Sequence, residues 1–85
     1  MKRFDYQIQD DLGIHARPAG LLVKTAMKYP CKATLTKGQN TADMRKLFSV
    51  MKMGVRCGDL VTVICEGDHE EEALAEFGKI FAENL

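Results

Sequence analysis

The sequence is poor in several residue types that mark particular classes of protein. It contains no tryptophan, two prolines and three cysteines in 85 residues. Three cysteines cannot all pair within one chain, and a small secreted scaffold ordinarily carries an even set of them. We therefore expect free thiols and a location in the reducing cytoplasm.

The sequence also lacks a charge surplus and a long apolar run. Its 12 basic and 12 acidic residues cancel, whereas binding to a nucleic-acid backbone needs an excess of basic residues. The N-terminal stretch MKRFDYQIQDD offers no signal peptide, and no segment approaches the length of a membrane span. We expect neither nucleic acid nor membrane insertion. No ligand cluster predicts a metal or cofactor, because Asp10 and Asp11 are more simply explained as a solvated acidic turn.

Hydrophobic periodicity predicts the element order β-α-β-β-α-β-α. The predicted strands lie around residues 4–8, 32–37, 40–43 and 60–65, and the predicted helices cover about 16–29, 46–53 and the segment after 68. The run at 60–65 is the most apolar and is therefore the candidate central strand. A sheet with helices on one face buries each element once. The sequence thus predicts an α+β fold, with residues 1–85 in one domain.

Details of the helices follow from the same pattern. Leu21, Leu22 and Met27 are predicted to form the apolar side of the first helix. Asp68, with Glu71 three residues later, is predicted to cap the third helix, and Gly54 to end the second. The apolar face of the third helix is predicted from five residues at helical spacing: Ala73, Leu74, Phe77, Ile80 and Phe81.

The stretch DDLGIHARPAG holds the candidate chemistry. His15 lies at the predicted start of the first helix, where the free N–H groups of Ala16 and Arg17 favour an anion. The Arg17 guanidinium can pair with phosphate oxygens, and histidine can carry a covalent intermediate. Pro18 suits the first turn of a helix, where a missing N–H costs little. These residues predict a phosphoryl-accepting site, although a capping or solvated histidine is the simpler alternative.

The string G-I-H-A-R-P-A at residues 13–19 resembles the active-site signature of HPr, the histidine-containing phosphocarrier family of the sugar phosphotransferase system. The resemblance continues through L-F-S-V-M and the Gly54 that follows, C-G-D at 57–59 and E-G-D at 66–68. It implies an open-faced β-sandwich whose four antiparallel strands lie in the order 1-4-2-3, with three helices on one face. The chain is then a monomeric phosphocarrier, not an enzyme.

The resemblance also implies a role for each site residue. Enzyme I, phosphorylated from phosphoenolpyruvate, would transfer its phosphoryl group to Nδ1 of His15. The carrier would then pass the group to a sugar-specific enzyme IIA. Arg17 would stabilise the charge, and Pro18 would shape the helix start.

The second helix is predicted to contact partner proteins. It reads L-F-S-V-M-K-M and is apolar nearly all round, so some of its side chains should remain exposed. The resemblance implies that Leu47, Phe48 and Met51 form part of the partner surface, while Val50 is expected in the core. A basic rim that steers acidic partners is predicted from four cations: Arg17, Lys24, Lys46 and Lys52.

Two positions depart from the family pattern. Many Gram-positive members carry a regulatory serine where this chain has Lys46, so we expect no switch by seryl phosphorylation, and Ser49 does not replace that serine. Leu12 is apolar where some members place a polar side chain. Two alternative functions remain: a regulatory docking protein on the same scaffold, and a carrier in a phosphorelay that transports no sugar. His69 is expected to be a solvated or capping residue.

Overall fold

The elements follow the predicted order closely. The computed structural model describes all 85 residues. The chain runs through β1 (Lys2–Gln7), α1 (Ala16–Lys28), β2 (Lys32–Lys37), β3 (Asn40–Asp43), α2 (Leu47–Lys52), β4 (Leu60–Glu66) and α3 (Glu70–Asn84). The predicted bounds of β2 and β3 are confirmed. No helix is both long enough and apolar enough to cross a bilayer.

The four strands form one antiparallel sheet in the order β1-β4-β2-β3. The apolar run in β4 is central, with Val63 opposite Phe4 of β1 on one side and opposite Leu35 of β2 on the other. Val61, Val63 and Cys65 are buried, so this strand supplies alternate residues to the core. The open-faced sandwich and the central position of the fourth strand are confirmed.

Helices α1 and α3 cover the buried face of the sheet. Phe77 and Phe81 of α3 and Leu22 of α1 are fully buried. The ring of Phe81 makes edge contacts with Phe4 and Tyr6 of β1, with centroid distances of 5.6 and 5.4 Å, an arrangement that aromatic pairs favour. The predicted apolar face of α3 is confirmed by this packing.

The predicted inner side of α1 is partly wrong. Met27 is 69% exposed and Leu21 is 37% exposed, whereas Leu22 is buried. The buried side of the helix consists of Pro18, Ala19, Leu22, Thr25 and Ala26. Small residues bring the helix close to its neighbours, and a polar threonine completes the stripe, so a count of large apolar residues points to the wrong side.

The predicted cap of α3 is also wrong. The residue before α3 is His69, in the left-handed region with φ of 63°, and its side chain makes no cap bond. The carboxylate that reaches back belongs to Glu70, whose Oε1 accepts the N–H of Gly67 at 3.0 Å, so Asp68 has no capping role.

Asp43 orders the turn that precedes α2. Its Oδ1 accepts the N–H of Arg45 at 2.9 Å, and its carbonyl accepts the N–H of Lys46 at 3.0 Å. The end of α2 is as predicted: Gly54 has a φ of 62° and donates its N–H to the carbonyl of Met51. Glycine adopts this left-handed conformation without steric cost.

Candidate functional site

The loop from β1 to α1 holds the DDLGIHARPAG stretch, and its own polar groups order it. Asp10 accepts the N–H of Leu12 on Oδ1 at 2.8 Å, and its carbonyl accepts the N–H of Gly13 at 2.9 Å. The N–H of His15 donates to the carbonyl of Gly13 at 3.2 Å. Asp10 therefore forms an Asx turn that folds the chain back just before the histidine.

Gly13 packs directly against the segment before β4, residues 54–59, which we call the floor loop. Its φ is 64°. A Cβ at Gly13 would overlap the carbonyl oxygen of Val55 and stand 2.8 Å from Cα of Arg56. That carbonyl accepts the N–H of Ile14 at 3.1 Å, and the side chain of Ile14 is buried. The backbone that leads into His15 is thus fixed against the floor loop.

His15 is the residue that immediately precedes α1. Its backbone is extended, with φ of −95° and ψ of −174°, and its imidazole makes no cap hydrogen bond. Its carbonyl accepts the N–H of Ala19 at 3.0 Å, which begins the helix. The side chain is partly exposed. The capping alternative for this histidine is therefore wrong, and its ring is available for chemistry.

The start of α1 leaves donors free for an anion. The N–H groups of Ala16 and Arg17 bond to no acceptor in the chain, and the next residue, Pro18, has no N–H. The first turn contains no acidic residue, so no carboxylate on the helix itself competes for the positive end of its dipole. The third helical position suits Pro18 because no N–H is required there.

Arg17 and His15 line one open depression on the surface. The other lining residues come from the loop before α1, from the first turn of α1 and from the C-terminal end of α3: Asp10, Pro18, Glu83 and Asn84. Arg17 is exposed and belongs to no ion pair. Its guanidinium is therefore the unpaired cation beside the imidazole. The two carboxylates of the lining oppose an added anion, so the free N–H groups and Arg17 must outweigh them.

Helix α2 presents the apolar surface that its sequence predicts. Phe48 is 84% exposed, with Leu47 and Met51 at 37% and 38%. Val50, the expected core residue of this helix, is fully buried. Fully exposed phenylalanine is costly to leave in water and commonly marks a protein contact.

The four predicted rim cations are all exposed, and none is engaged elsewhere in the chain. None of Arg17, Lys24, Lys46 and Lys52 forms an ion pair. Arg17 and Lys24 lie seven residues apart on α1 and so share one side of the helix. These free cations leave a surface suited to acidic partners.

Three residues with structural roles were not predicted from the sequence. Glu83 and Asn84 reach the depression only through the packing of α3. Away from the site, Arg45 bonds the carbonyls of Ala26, Tyr29 and Cys31 at the C-terminal end of α1. Contacts between distant elements supply each of these roles, and no local pattern signals them.

Comparison with known families decides the relationship. The sequence matches the family described as the PTS HPr component phosphorylation site over residues 2–83. The chain belongs to the HPr family. Members of this family are phosphocarrier proteins of the phosphotransferase system, and they are carriers rather than catalysts.

Individual HPr proteins show how close the relationship is. The phosphocarrier protein HPr of Mycoplasma genitalium is 37% identical over 76 residues, which cover 88% of this chain and 86% of that protein. The solved structure of a mycoplasma histidine-containing phosphocarrier protein superposes with a TM-score of 0.94 at 26% identity, covering 96% and 93% of the two chains. A dimeric HPr of Thermoanaerobacter tengcongensis gives 0.68 at 34% identity, covering 93% and 94%.

Proposed function

We propose that this HPr-family chain carries a phosphoryl group on Nδ1 of His15. The group comes from enzyme I, which obtains it from phosphoenolpyruvate, and passes to an enzyme IIA of a sugar system. In each transfer the phosphorus–nitrogen or phosphorus–oxygen bond of the donor breaks as a new bond forms to the acceptor. The observation that carries the proposal is the uncapped start of α1, where a partly exposed imidazole adjoins two free N–H groups.

Each neighbour of His15 has a part in this proposal. The N–H groups of Ala16 and Arg17 bind phosphoryl oxygens, and the Arg17 guanidinium offsets the added charge. Pro18 keeps the first turn helical without adding a donor. Transfer of a phosphoryl group depends mainly on alignment and charge stabilisation, so an open site suffices when the partner enzyme completes it.

Phosphorylation with purified enzyme I tests the proposal directly. The chain is incubated with enzyme I, phosphoenolpyruvate and Mg²⁺, and we expect one acid-labile, base-stable phosphate per molecule. His15→Ala should abolish the label, while the matched control His69→Ala should keep it. Label that survives His15→Ala would place the acceptor elsewhere, and an unlabelled parent would favour a docking protein.

We propose that Leu47, Phe48 and Met51 form the apolar part of the docking surface. Lys24, Lys46 and Lys52 form its basic rim, together with Arg17. The partners are then acidic around an apolar centre. Phe48→Ala should raise the KM for the carrier in the enzyme I reaction severalfold. The control Met27→Ala removes another exposed apolar side chain. Met27 is 69% exposed and lies near the C-terminal end of α1, outside the proposed docking surface, so this variant should leave KM unchanged.

We further propose a cytoplasmic monomer of one domain that lacks the seryl switch. Lys46, in place of the serine, precedes α2 without a side-chain cap, and lysine cannot accept the modification. Treatment with the kinase that phosphorylates the serine of other members should therefore leave no phosphoserine, and a stoichiometric product would contradict this. Light scattering at micromolar concentration should give the mass of one chain, and a dimer mass would overturn the monomer.

A further inference from the structure

The floor loop is held by an ion pair that has no place in the function proposed so far. Lys37, the last residue of β2, extends its ammonium to Oδ2 of Asp59 at 2.9 Å and to the carbonyl of Gly54 at 3.3 Å. Both side chains are about two-thirds shielded from water. One cation thereby joins the two ends of the floor loop, residues 54 and 59, to the sheet.

Asp59 also forms hydrogen bonds within the floor loop. Its Oδ2 accepts the N–H of Arg56 at 2.8 Å, and its own N–H donates to the carbonyl of Arg56 at 3.0 Å. The Lys37 ammonium, and next the N–H of Arg56, hold the pKa of the Asp59 carboxyl below its usual value. The carboxylate is therefore charged at neutral pH and bound on two sides.

The floor loop in turn carries the segment before His15. The carbonyl of Val55 accepts the N–H of Ile14. The N–H of Gly58 donates to the carbonyl of Ile8 at 2.7 Å, and the backbone carbonyl of Asp59 accepts the N–H of Ile8 at 2.9 Å. Gly13 packs so tightly on Val55 that no Cβ fits between them. A displacement of the floor loop would therefore shift the backbone of His15, because Gly13 and Ile14 contact Val55 without any gap.

We infer that Lys37 and Asp59 are positioning residues for His15, acting through the Val55 carbonyl and the backbone of Gly13 and Ile14. Neither side chain lines the depression around the imidazole, so neither touches the phosphoryl group. Their effect on transfer rests on the proposed function, whereas their effect on the backbone does not. Misplacement by an ångström can cost a large factor in rate, so a loosened floor loop should slow transfer.

Four variants test the inference. Lys37→Ala removes the cation, and Lys37→Arg keeps a charged donor. Asp59→Asn removes the charge but leaves an oxygen for the N–H of Arg56. The control is Lys28→Ala, which breaks a 2.7 Å ion pair with Glu76 between α1 and α3. This pair is also partly exposed and lies about 18 Å along α1 from the site.

Two readouts separate positioning from general stability. Hydrogen exchange of the Ile14 amide, relative to buried amides of β4, reports the bond to Val55 and needs no partner enzyme. The initial rate of labelling by enzyme I, measured where every variant is fully folded, reports the imidazole. We expect Lys37→Ala and Asp59→Asn to speed Ile14 exchange selectively and slow labelling about three- to tenfold, with Lys37→Arg close to the parent.

Other outcomes would overturn the inference. Unchanged Ile14 exchange in both Lys37→Ala and Asp59→Asn would show that the Lys37–Asp59 ion pair does not hold the floor loop in place. Equal slowing by Lys28→Ala would show that lost stability is the cause. A parent that is never labelled would contradict the proposed function alone, because the Ile14 measurement would still decide whether Lys37 and Asp59 fix this backbone.

Discussion

Two helices of this protein begin directly after a histidine, and the two starts are built in opposite ways. His15 before α1 is extended and is followed by a first turn without acidic residues. His69 before α3 is left-handed and is followed by Glu70, Glu71 and Glu72. Carboxylates occupy the positive end of α3, whereas the positive end of α1 is open to an anion from outside.

The difference extends to the rings themselves. Nδ1 of His69 lies 2.9 Å from Oε1 of Glu72, and this hydrogen bond raises the pKa of His69. The ring before α3 is therefore held by a carboxylate, whereas the imidazole of His15 shares its depression with the free guanidinium of Arg17. A histidine at a helix start becomes a candidate phosphoryl acceptor only where the chain leaves its surroundings unoccupied.

Removing the glycine that shapes the α1 start should have the largest effect. Gly13→Ala places a Cβ against the floor-loop backbone in a left-handed residue, and we expect a loss of about 2–4 kcal/mol of unfolding free energy. Urea unfolding measures it. Gly54→Ala is the control, since Gly54 has a similar φ of 62° but open space for a Cβ. It should cost about 1–2 kcal/mol, and an equal loss in both would contradict the role of the contact.

A carboxylate in the first turn of α1 should make this helix start resemble that of α3. Arg17→Glu replaces the free cation by a carboxylate in the first turn, so labelling of His15 by enzyme I should slow about 100-fold or more. Stability should stay the same or rise slightly, because a carboxylate suits the positive end of the helix. Lys24→Glu makes the same charge change two turns later and should slow labelling much less. Equal slowing would show that only net charge matters.

Contacts at the C-terminal end of α1 should affect the stability of the protein without affecting the labelling of His15 at the helix start. Glu76 on α3 accepts bonds from Lys28, Tyr29 and Thr25, and the first two lower its pKa most. A lowered folded-state pKa gives stability that is present above pH 4.5 and is lost as pH falls through the folded pKa. Glu76→Gln should therefore reduce stability at pH 7, and less at pH 3, in urea unfolding. Labelling of His15 at neutral pH should not change, and a changed rate would couple the two ends.

The smallest effect concerns the pair that holds the α3 histidine. The raised pKa of His69 means that its pairing contributes stability below pH 6.5, which is lost as pH rises through the folded pKa. The dependence should be weak, because both side chains are exposed and such pairs contribute little to stability. Glu72→Gln should remove it, because the carboxylate that pairs with His69 is lost. Unfolding of parent and variant at pH 5.5 and pH 8.5 measures the difference. A variant that keeps the full dependence would assign it to another group.

Local patterns were sufficient for most of the fold. The alternation at 32–37, the turn after it and the apolar run that forms β4 each depend on neighbouring residues only, and the resemblance supplied the strand order. Large apolar residues misled at α1, where Ala19 and Ala26 face the core and Met27 does not. The predicted cap of α3 also failed, because the residue before this helix is the left-handed His69, and the carboxylate that bonds back to Gly67 belongs to Glu70.

Some residues of the candidate site could likewise be predicted from a local pattern, and others could not. His15, Arg17 and Pro18 are adjacent along the chain, so their string could be recognised directly. The positions of Glu83 and Asn84 depend on how α3 packs, and the Lys37–Asp59 pair depends on the register of β2 with β4 and on the path of the floor loop. No single stretch of sequence contains that information.

The open depression around His15 has a consequence in time. A phosphoryl group held there would face water on one side, so its lifetime would end either by hydrolysis or by delivery. With ordinary association rate constants, an acceptor at micromolar concentration is met in about 0.1 to 10 s. The loaded carrier must outlast that search, and an open site therefore works only if spontaneous hydrolysis is slower than the encounter that unloads it.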